Sequence, residues 1–223
     1  MTGRAPLVIA IDGPAGSGKS TIAAALARRL GLPHVDTGAY YRAATLAVLR
    51  AGVDVTDADR VTATVRRARI DRYAGRVVLD GQDVEDEIRG PAVTAAVSTV
   101  SAHPPLRYHL VELQRAEVGA AGGVVEGRDA GTVVVPDAPL KVWLTASPAE
   151  RAARRAAQLG PADSDAVALH AAQIAERDAS DAARMVRADG VVEVDTSGRS
   201  VEQVVAELVE HAIAASAARG GGG

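Results

Sequence analysis

The stretch "IDGPAGSGKST", Ile11 to Thr21, follows the short apolar run "PLVIA" and sets three glycines around one lysine. Gly13, Gly18, Lys19 and Ser20 fit the spacing GxxxxGK[ST], with an apolar strand pattern before them and helical periodicity after them. Glycines let a backbone take left-handed angles and come close to an anion, so that successive N–H groups and a helix N-terminus face it. Lys19 is one of only two lysines among 25 basic residues, the other being Lys141. A lysine kept in an arginine-rich chain indicates a compact cation on a flexible stem, suited to follow the β- and γ-phosphates of a nucleotide. The Ser20 hydroxyl is then the expected ligand for Mg²⁺, and Gly13, Pro14, Ala15, Gly16, Ser17, Gly18, Lys19, Ser20 and Thr21 form the expected nucleoside triphosphate loop.

Outside this loop, composition excludes several classes. The 223 residues suffice for one sizeable domain, or for a domain with a small insert. A net charge of -3 gives no electrostatic footprint for nucleic acid. No cysteine is present, which removes disulfides, thiolate metal sites and cysteine nucleophiles, and suits a reducing cytoplasm. The amino-terminal apolar run is short and leads straight into glycines, so it reads as a buried strand and not as a signal peptide. No later run is long and apolar enough to span a bilayer.

Apolar runs alternate with Ala/Leu/Arg segments of helical period, the pattern of a parallel sheet with crossover helices, so the fold class is α/β. Strands are predicted at Leu7 to Asp12, Pro33 to Asp36, Gly123 to Gly127, Leu140 to Thr145 and Val191 to Asp195. Helices are predicted at Lys19 to Leu30, Ala39 to Ala51, Pro148 to Leu159, Asp165 to Ser180 and Ser200 to Ala217. Between Asp54 and Leu106 the alternation breaks into the helical "TDADRVTATVRRA", the hairpin pattern "IDRYAGRVVLDG" and a further helical stretch from Pro91. This insert is expected to lie over the nucleotide cleft. A single domain over residues 1–223 is expected, with the insert at about 54–106, a helical lid at about 148–184 and a glycine-rich flexible tail at 219–223.

The loop alone is shared by switches, motors and kinases. A phosphotransferase with an anionic acceptor needs several permanent cations from separated places, because two phosphate groups repel. Arg42, Arg128, Arg151, Arg154, Arg155, Arg177 and Arg184 are the candidates. Arg128 and Asp129 follow the strand ending at Glu126, at the carboxyl edge of the sheet where open α/β folds bind ligands. Arg151, Arg154 and Arg155 can share one side of a helix, and Asp181 and Arg184 stand one helical turn apart.

The stretches "IDGPAGSGKST", "DTGAYYRA", "DGQDVEDEIR", "VVEGRDAGTVVVPDAPLKVWLTASPAERAARR" and "ERDASDAAR" together resemble the bacterial cytidylate (CMP) kinase family, of the P-loop nucleoside monophosphate kinases, over nearly the whole chain. The resemblance implies a P-loop NTPase-type parallel sheet of about five strands and transfer of the γ-phosphoryl of Mg-ATP to CMP or dCMP. By the same resemblance Arg42, Arg128 and Arg177 would hold the CMP phosphate and Asp181 the ribose hydroxyls. Ser98, Arg107, Asp129 and Arg184 would surround the cytosine edge, and Thr37 matches a position that is serine in some members. Arg151, Arg154 and Arg155 would belong to a lid closing over the transferring group, beside Lys19. Two positions depart from the family pattern: Ala130 stands where a larger apolar residue is usual, and "ERDASDAAR" lacks charges often found between Asp178 and Arg184.

Cytosine offers an N4 amino donor where uracil has a carbonyl, so a carboxylate such as Asp129 would attract one and repel the other. A shikimate-type kinase would not need this base-reading group. A regulatory GTPase would use an Asn-Lys-x-Asp motif, and this chain has no asparagine. The carboxylate that assists Mg²⁺ is either Asp12 or Glu126, both at strand ends. The histidines, His34 among them, lack metal-ligand spacing and read as structural or surface residues. "DTSGRS", Asp195 to Ser200, reads as a turn capping the last helix. The protein is expected to act as a cytoplasmic monomer on small nucleotides, with neither nucleic acid nor membrane as partner.

Overall fold

The computed structural model describes residues 6–73, 75–159 and 164–220. In chain order the elements are β1 (Val8–Asp12), α1 (Lys19–Leu30), β2 (His34–Asp36), α2 (Thr37–Arg50), α3 (Ala58–Arg67), β3 (Ile70–Tyr73), β4 (Arg76–Leu79) and β5 (Gln82–Asp83). Then come α4 (Pro91–Ser101), α5 (Pro104–Val118), β6 (Gly123–Gly127), β7 (Leu140–Thr145), α6 (Pro148–Leu159), α7 (Ser164–Asp181), β8 (Val192–Asp195) and α8 (Val201–Gly220). The chain forms two compact units, one from the segments up to Val35 and from Val118 onward, the other from Asp36–Glu117.

The first unit is built on a five-stranded sheet of order β2-β6-β1-β7-β8. Parallel pairing sets Ile9 of β1 against Val124 of β6 and Leu140 of β7, and β7 pairs in parallel with β8. Strands β1 and β6 are buried almost throughout, as a sheet covered on both faces requires. Their side chains join Leu26 of α1, Leu144 of β7 and Leu208 of α8 in one core. The consequence for function is positional. With β1 at the centre, the carboxyl ends of β1 and β6 come side by side, Asp12 opposite Gly127, at the edge where α/β sheets place their ligands.

Local chemistry sets the helix ends. Gly18 precedes α1 at φ 90, and Gly31 closes it at φ 67 with its N–H on Ala27 and Arg28 carbonyls. Asp36 ends β2 and caps α2, its carboxylate accepting from the Ala39 N–H. At α8, Ser200 Oγ accepts from the Gln203 N–H and Gln203 Oε1 accepts from the Ser200 N–H, a reciprocal capping box. The "DTSGRS" segment therefore does cap the last helix. Helix α8 runs to Gly220, two residues into the expected tail, whose residues 221–223 lie outside the described residues, as do 160–163 of the expected lid.

The second unit wraps α3, α4, α5 and a small sheet around α2, ten of whose fourteen residues are buried. Its sheet is the expected antiparallel hairpin, Ile70 opposite Leu79, extended by the two-residue β5. Leu46, Val65, Leu79, Ile88, Val97 and Leu110 form its separate core. The helical stretch expected from Pro91 resolves into α4 and α5. Pro104 disfavours helical angles at His103 and cannot donate into the preceding turn. His103 is held at this break through its Nε2, 2.7 Å from the Val55 carbonyl.

Gly13 marks the tightest approach in the sheet. It sits at φ 151, and a Cβ built there would lie 2.2 Å from the Leu144 carbonyl oxygen of β7. Gly52, at φ 62, has open space around it. In equilibrium urea unfolding, Gly13→Ala should cost about 2–4 kcal/mol because backbone must move, whereas Gly52→Ala should cost only about 1 kcal/mol of left-handed strain.

Candidate active site

The loop from Gly13 to Lys19 leaves β1 and enters α1 through glycines at positive φ: Gly13, Gly16 (75) and Gly18 (90). Four of its carbonyls are taken by side chains. Arg128 Nη1 donates to Gly13 O at 2.8 Å, and Lys19 Nζ to Pro14 O at 2.7 Å. Arg151 Nη1 donates to Ala15 O at 3.0 Å, and Thr196 Oγ1 lies 3.1 Å from Ser17 O. Arg154 reinforces the last contact, with Nη1 2.8 Å from Thr196 Oγ1 and Nη2 2.7 Å from Thr196 O. Four of the five predicted catalytic cations, Lys19, Arg128, Arg151 and Arg154, are thus gathered around the loop. Arg155 stands half-buried on α6 beside them in sequence, and Thr21 is exposed on the first turn of α1.

Helix α7 meets the loop through carboxylates. Asp178 Oδ1 accepts the Ala15 N–H at 3.0 Å, and its other oxygen pairs with Arg151. One turn later Asp181, only 5% exposed, accepts from Arg128 Nε at 3.0 Å and from Arg184 Nη2 at 2.5 Å. The predicted residues Arg128, Asp181 and Arg184 therefore form one ion-pair cluster. Arg177 lies on α7 one residue before Asp178, its side chain outside those described.

The two strand-end carboxylates have different duties. Asp12 accepts the N–H groups of Ala130 and Gly131 at 2.8 and 2.7 Å. Burial raises its pKa above the ordinary aspartate value, against the lowering effect of those two N–H groups, and the nearby Asp129 carboxylate raises it further. Asp12 thereby anchors the wide turn Ala130–Val134 that follows Asp129. Gly131 is small because a Cβ there would meet Ala10 Cβ and Asp12 Oδ2 at 3.3 Å, and the Ala130 side chain is fully buried. Glu126, 2% exposed, instead accepts from the Ser20 hydroxyl at 2.9 Å, and its second oxygen faces His34 Nε2 at 2.9 Å. Of the two alternatives left by the sequence, Glu126 is the one that touches Ser20.

Three helices of the second unit hold the remaining predicted residues. Thr37 is the first residue of α2 and is buried, with its carbonyl 3.5 Å from Gln114 Nε2 of α5. Arg42 Nη1 donates at 3.0 Å to Thr94 Oγ1 and to the Ile88 carbonyl. Thr94 and Ser98 are one turn apart on α4; Ser101 Oγ donates to Ser98 O at 3.1 Å, and Arg107 Nη1 donates to Ser101 O at 3.2 Å. Arg107 also stands over the Tyr41 ring, 5.1 Å from its centre. Arg42, Ser98 and Arg107 are thus brought together along α4.

The family model described as Cytidylate kinase matches residues 9–214. This chain belongs to the cytidylate kinase family. A cytidylate kinase of Symbiobacterium thermophilum is 47% identical over 219 residues, covering 94% of this chain and 97% of its own. One from Rhodococcus opacus is 49% identical over 213 residues, covering 91% and 93%. A solved gluconokinase from Sinorhizobium meliloti, 17% identical over 96% of this chain and 94% of its own, superposes with a TM-score of 0.50 and shares the fold. The cytidylate kinase family match begins at Ile9 in β1 and ends within α8, so it takes in all of the second unit and most of the first.

Two residues of this cytidylate kinase family member that sustain the loop escaped the sequence reading. Thr196 lies inside "DTSGRS", which the sequence marks only as a turn capping the last helix. Asp178 lies inside the "ERDASDAAR" motif, where its neighbours drew the attention. Thr196→Val keeps the volume and removes the hydroxyl that bridges Ser17 O, Thr145 O and Arg154. It should cost about 1–3 kcal/mol in denaturant unfolding and weaken ADP binding measured by calorimetry, while Thr196→Ser should restore most of both.

Proposed function

We propose that the protein transfers the γ-phosphoryl group of Mg-ATP to CMP or dCMP, giving ADP and CDP or dCDP. The observation that carries this reading is the pairing of a phosphate loop ringed by Lys19, Arg128, Arg151 and Arg154 with the Arg128–Asp181–Arg184 cluster and the buried Asp129 beside it. Membership of the cytidylate kinase family supports the acceptor class.

In this reading Gly13, Pro14, Ala15, Gly16, Ser17, Gly18, Lys19, Ser20 and Thr21 bind the donor phosphates. A phosphate oxygen of CMP attacks the γ-phosphorus in line, and the bond from that phosphorus to the β–γ bridging oxygen breaks, releasing ADP. The protein forms no covalent intermediate. Lys19, Arg128, Arg151, Arg154 and Arg155 offset the charge that develops on the equatorial and bridging oxygens. Arg42, Arg128 and Arg177 hold the acceptor phosphate and Asp181 the ribose hydroxyls. Ser98, Arg107, Asp129 and Arg184 surround the cytosine edge, the Asp129 carboxylate accepting from the cytosine N4 amino group, and Thr37 offers its hydroxyl to the substrate.

The residues present fit Mg²⁺. Ser20 offers a hard oxygen, backed by the buried Glu126 carboxylate, and among the described residues no cluster of three His, Cys, Asp or Glu could hold a metal by protein groups alone. This suits an ion that is carried mostly by nucleotide phosphates. Bound there, Mg²⁺ would neutralise charge on the β- and γ-oxygens. The reading takes the protein as a cytoplasmic monomer; among the described residues no helix is long and apolar enough to cross a membrane.

A coupled assay of ADP release with CMP, dCMP, UMP, AMP, GMP and shikimate tests the proposal, with selective turnover of CMP and dCMP expected. Lys19→Met should reduce that turnover at least about 10³-fold. Asp129→Ala should lower the preference for CMP over UMP by about 10-fold or more, the scale of one lost base-edge contact. An equal loss on both nucleotides would refute the base-reading role.

A further inference from the structure

The buried Glu126 carboxylate has two oxygens with two different partners. Oε2 accepts the Ser20 hydroxyl at 2.9 Å, and Oε1 meets His34 Nε2 at 2.9 Å. A carboxylate that is 2% exposed needs partners on both oxygens to offset lost hydration. His34 supplies the second from the first residue of β2, the strand beside β6 in the sheet. A carboxylate only accepts, so the ring presents Nε2–H to it. Ser20 is exposed at the start of α1, where a serine hydroxyl otherwise turns freely among rotamers. Glu126 thus joins the Ser20 hydroxyl on one oxygen to His34 on the other.

We propose that His34 is a positioning residue that fixes Glu126 against Ser20 and thereby sets how tightly the loop takes Mg²⁺ with its nucleotide. The proposal rests on the reading of Ser20 as the Mg²⁺ ligand. It gives His34 a role in the reaction, where its isolated position in the sequence indicated only structure or surface. Groups that orient a ligand from behind commonly govern metal affinity by 10- to 100-fold.

Two variants separate positioning from packing. His34→Leu fills similar space and removes the ring N–H that faces Oε1 of Glu126, whereas His34→Gln carries an amide N–H that can stand in for Nε2–H. Calorimetry of ADP binding, with and without Mg²⁺, reads the effect without turnover. His34→Leu should cut the Mg²⁺-dependent gain in ADP affinity about 10-fold and leave ADP affinity without Mg²⁺ within about twofold of the parent, while His34→Gln recovers most of the gain. In turnover assays the Mg²⁺ concentration for half-maximal rate should rise by a similar factor in His34→Leu, with the KM for CMP unchanged. Equal Mg²⁺ dependence in His34→Leu and the parent would overturn the proposal, as would equal impairment of His34→Leu and His34→Gln. Ser20→Ala is the control for the underlying reading: if it too leaves the Mg²⁺ gain intact, the assignment of the metal to Ser20 is what fails. Thermal melts of each variant separate loss of fold from loss of positioning.

Discussion

A loop that turns its N–H groups toward an anion turns carbonyl groups elsewhere, and those carbonyls must be satisfied. This constraint organises the first unit. Gly13, Pro14, Ala15 and Ser17 each give a carbonyl to a side chain, and three of the four donors nearest them are the cations Arg128, Lys19 and Arg151. The residues that steady the loop are therefore the residues that chemistry on a phosphate would need. Loss of any one both loosens the loop and removes a charge, so stability and activity are coupled at these positions. Arginine suits this double use because its fork can hold a carbonyl with one nitrogen and a carboxylate with another, as Arg128 does with Gly13 and Asp181.

The carboxylates complete the arrangement by keeping those arginines in place. Asp178 and Asp181 stand three residues apart on α7 and reach Arg151 and Arg128 respectively. Asp178 also takes the Ala15 N–H, so one side chain serves the loop through both polarities. On the opposite side of the sequence, Asp12 spends its carboxylate on two backbone N–H groups and so fixes the turn after Asp129. A buried carboxylate with satisfied lone pairs costs little compared with one left alone.

Much of this was legible in the sequence because it rests on local pattern. The central strands are continuous apolar runs between glycines or polar residues, and the observed β6, β7, α1 and α6 have the predicted bounds. The loop was legible because its glycines have no substitute. What escaped has a common physical cause: it depends on where segments meet. Asp12 and Glu126 are equivalent as strand-end acids, and only the register of β1 on β6 and the path of α1 distinguish them. The start of helix α5 was hidden because the one helical stretch expected from Pro91 is broken in two at Pro104. His34 carries no signal at all until β2 is placed beside β6. The second unit begins at Asp36, well before the break in alternation near Asp54, because α2 continues the regular pattern while packing in a separate core.

The contact between Ser17 and Thr196 spans 179 residues. A chain emerging from the ribosome makes the glycine loop long before it makes this support. Helix α1 can form early, since its interactions are local, but Ser17 waits for β8 to join β7 before its carbonyl is held. Long-range closure of this kind comes late in folding. The loop is thus fully held only once strands far along the chain have paired, and a chain cut short before Thr196 would carry the motif without the rigidity.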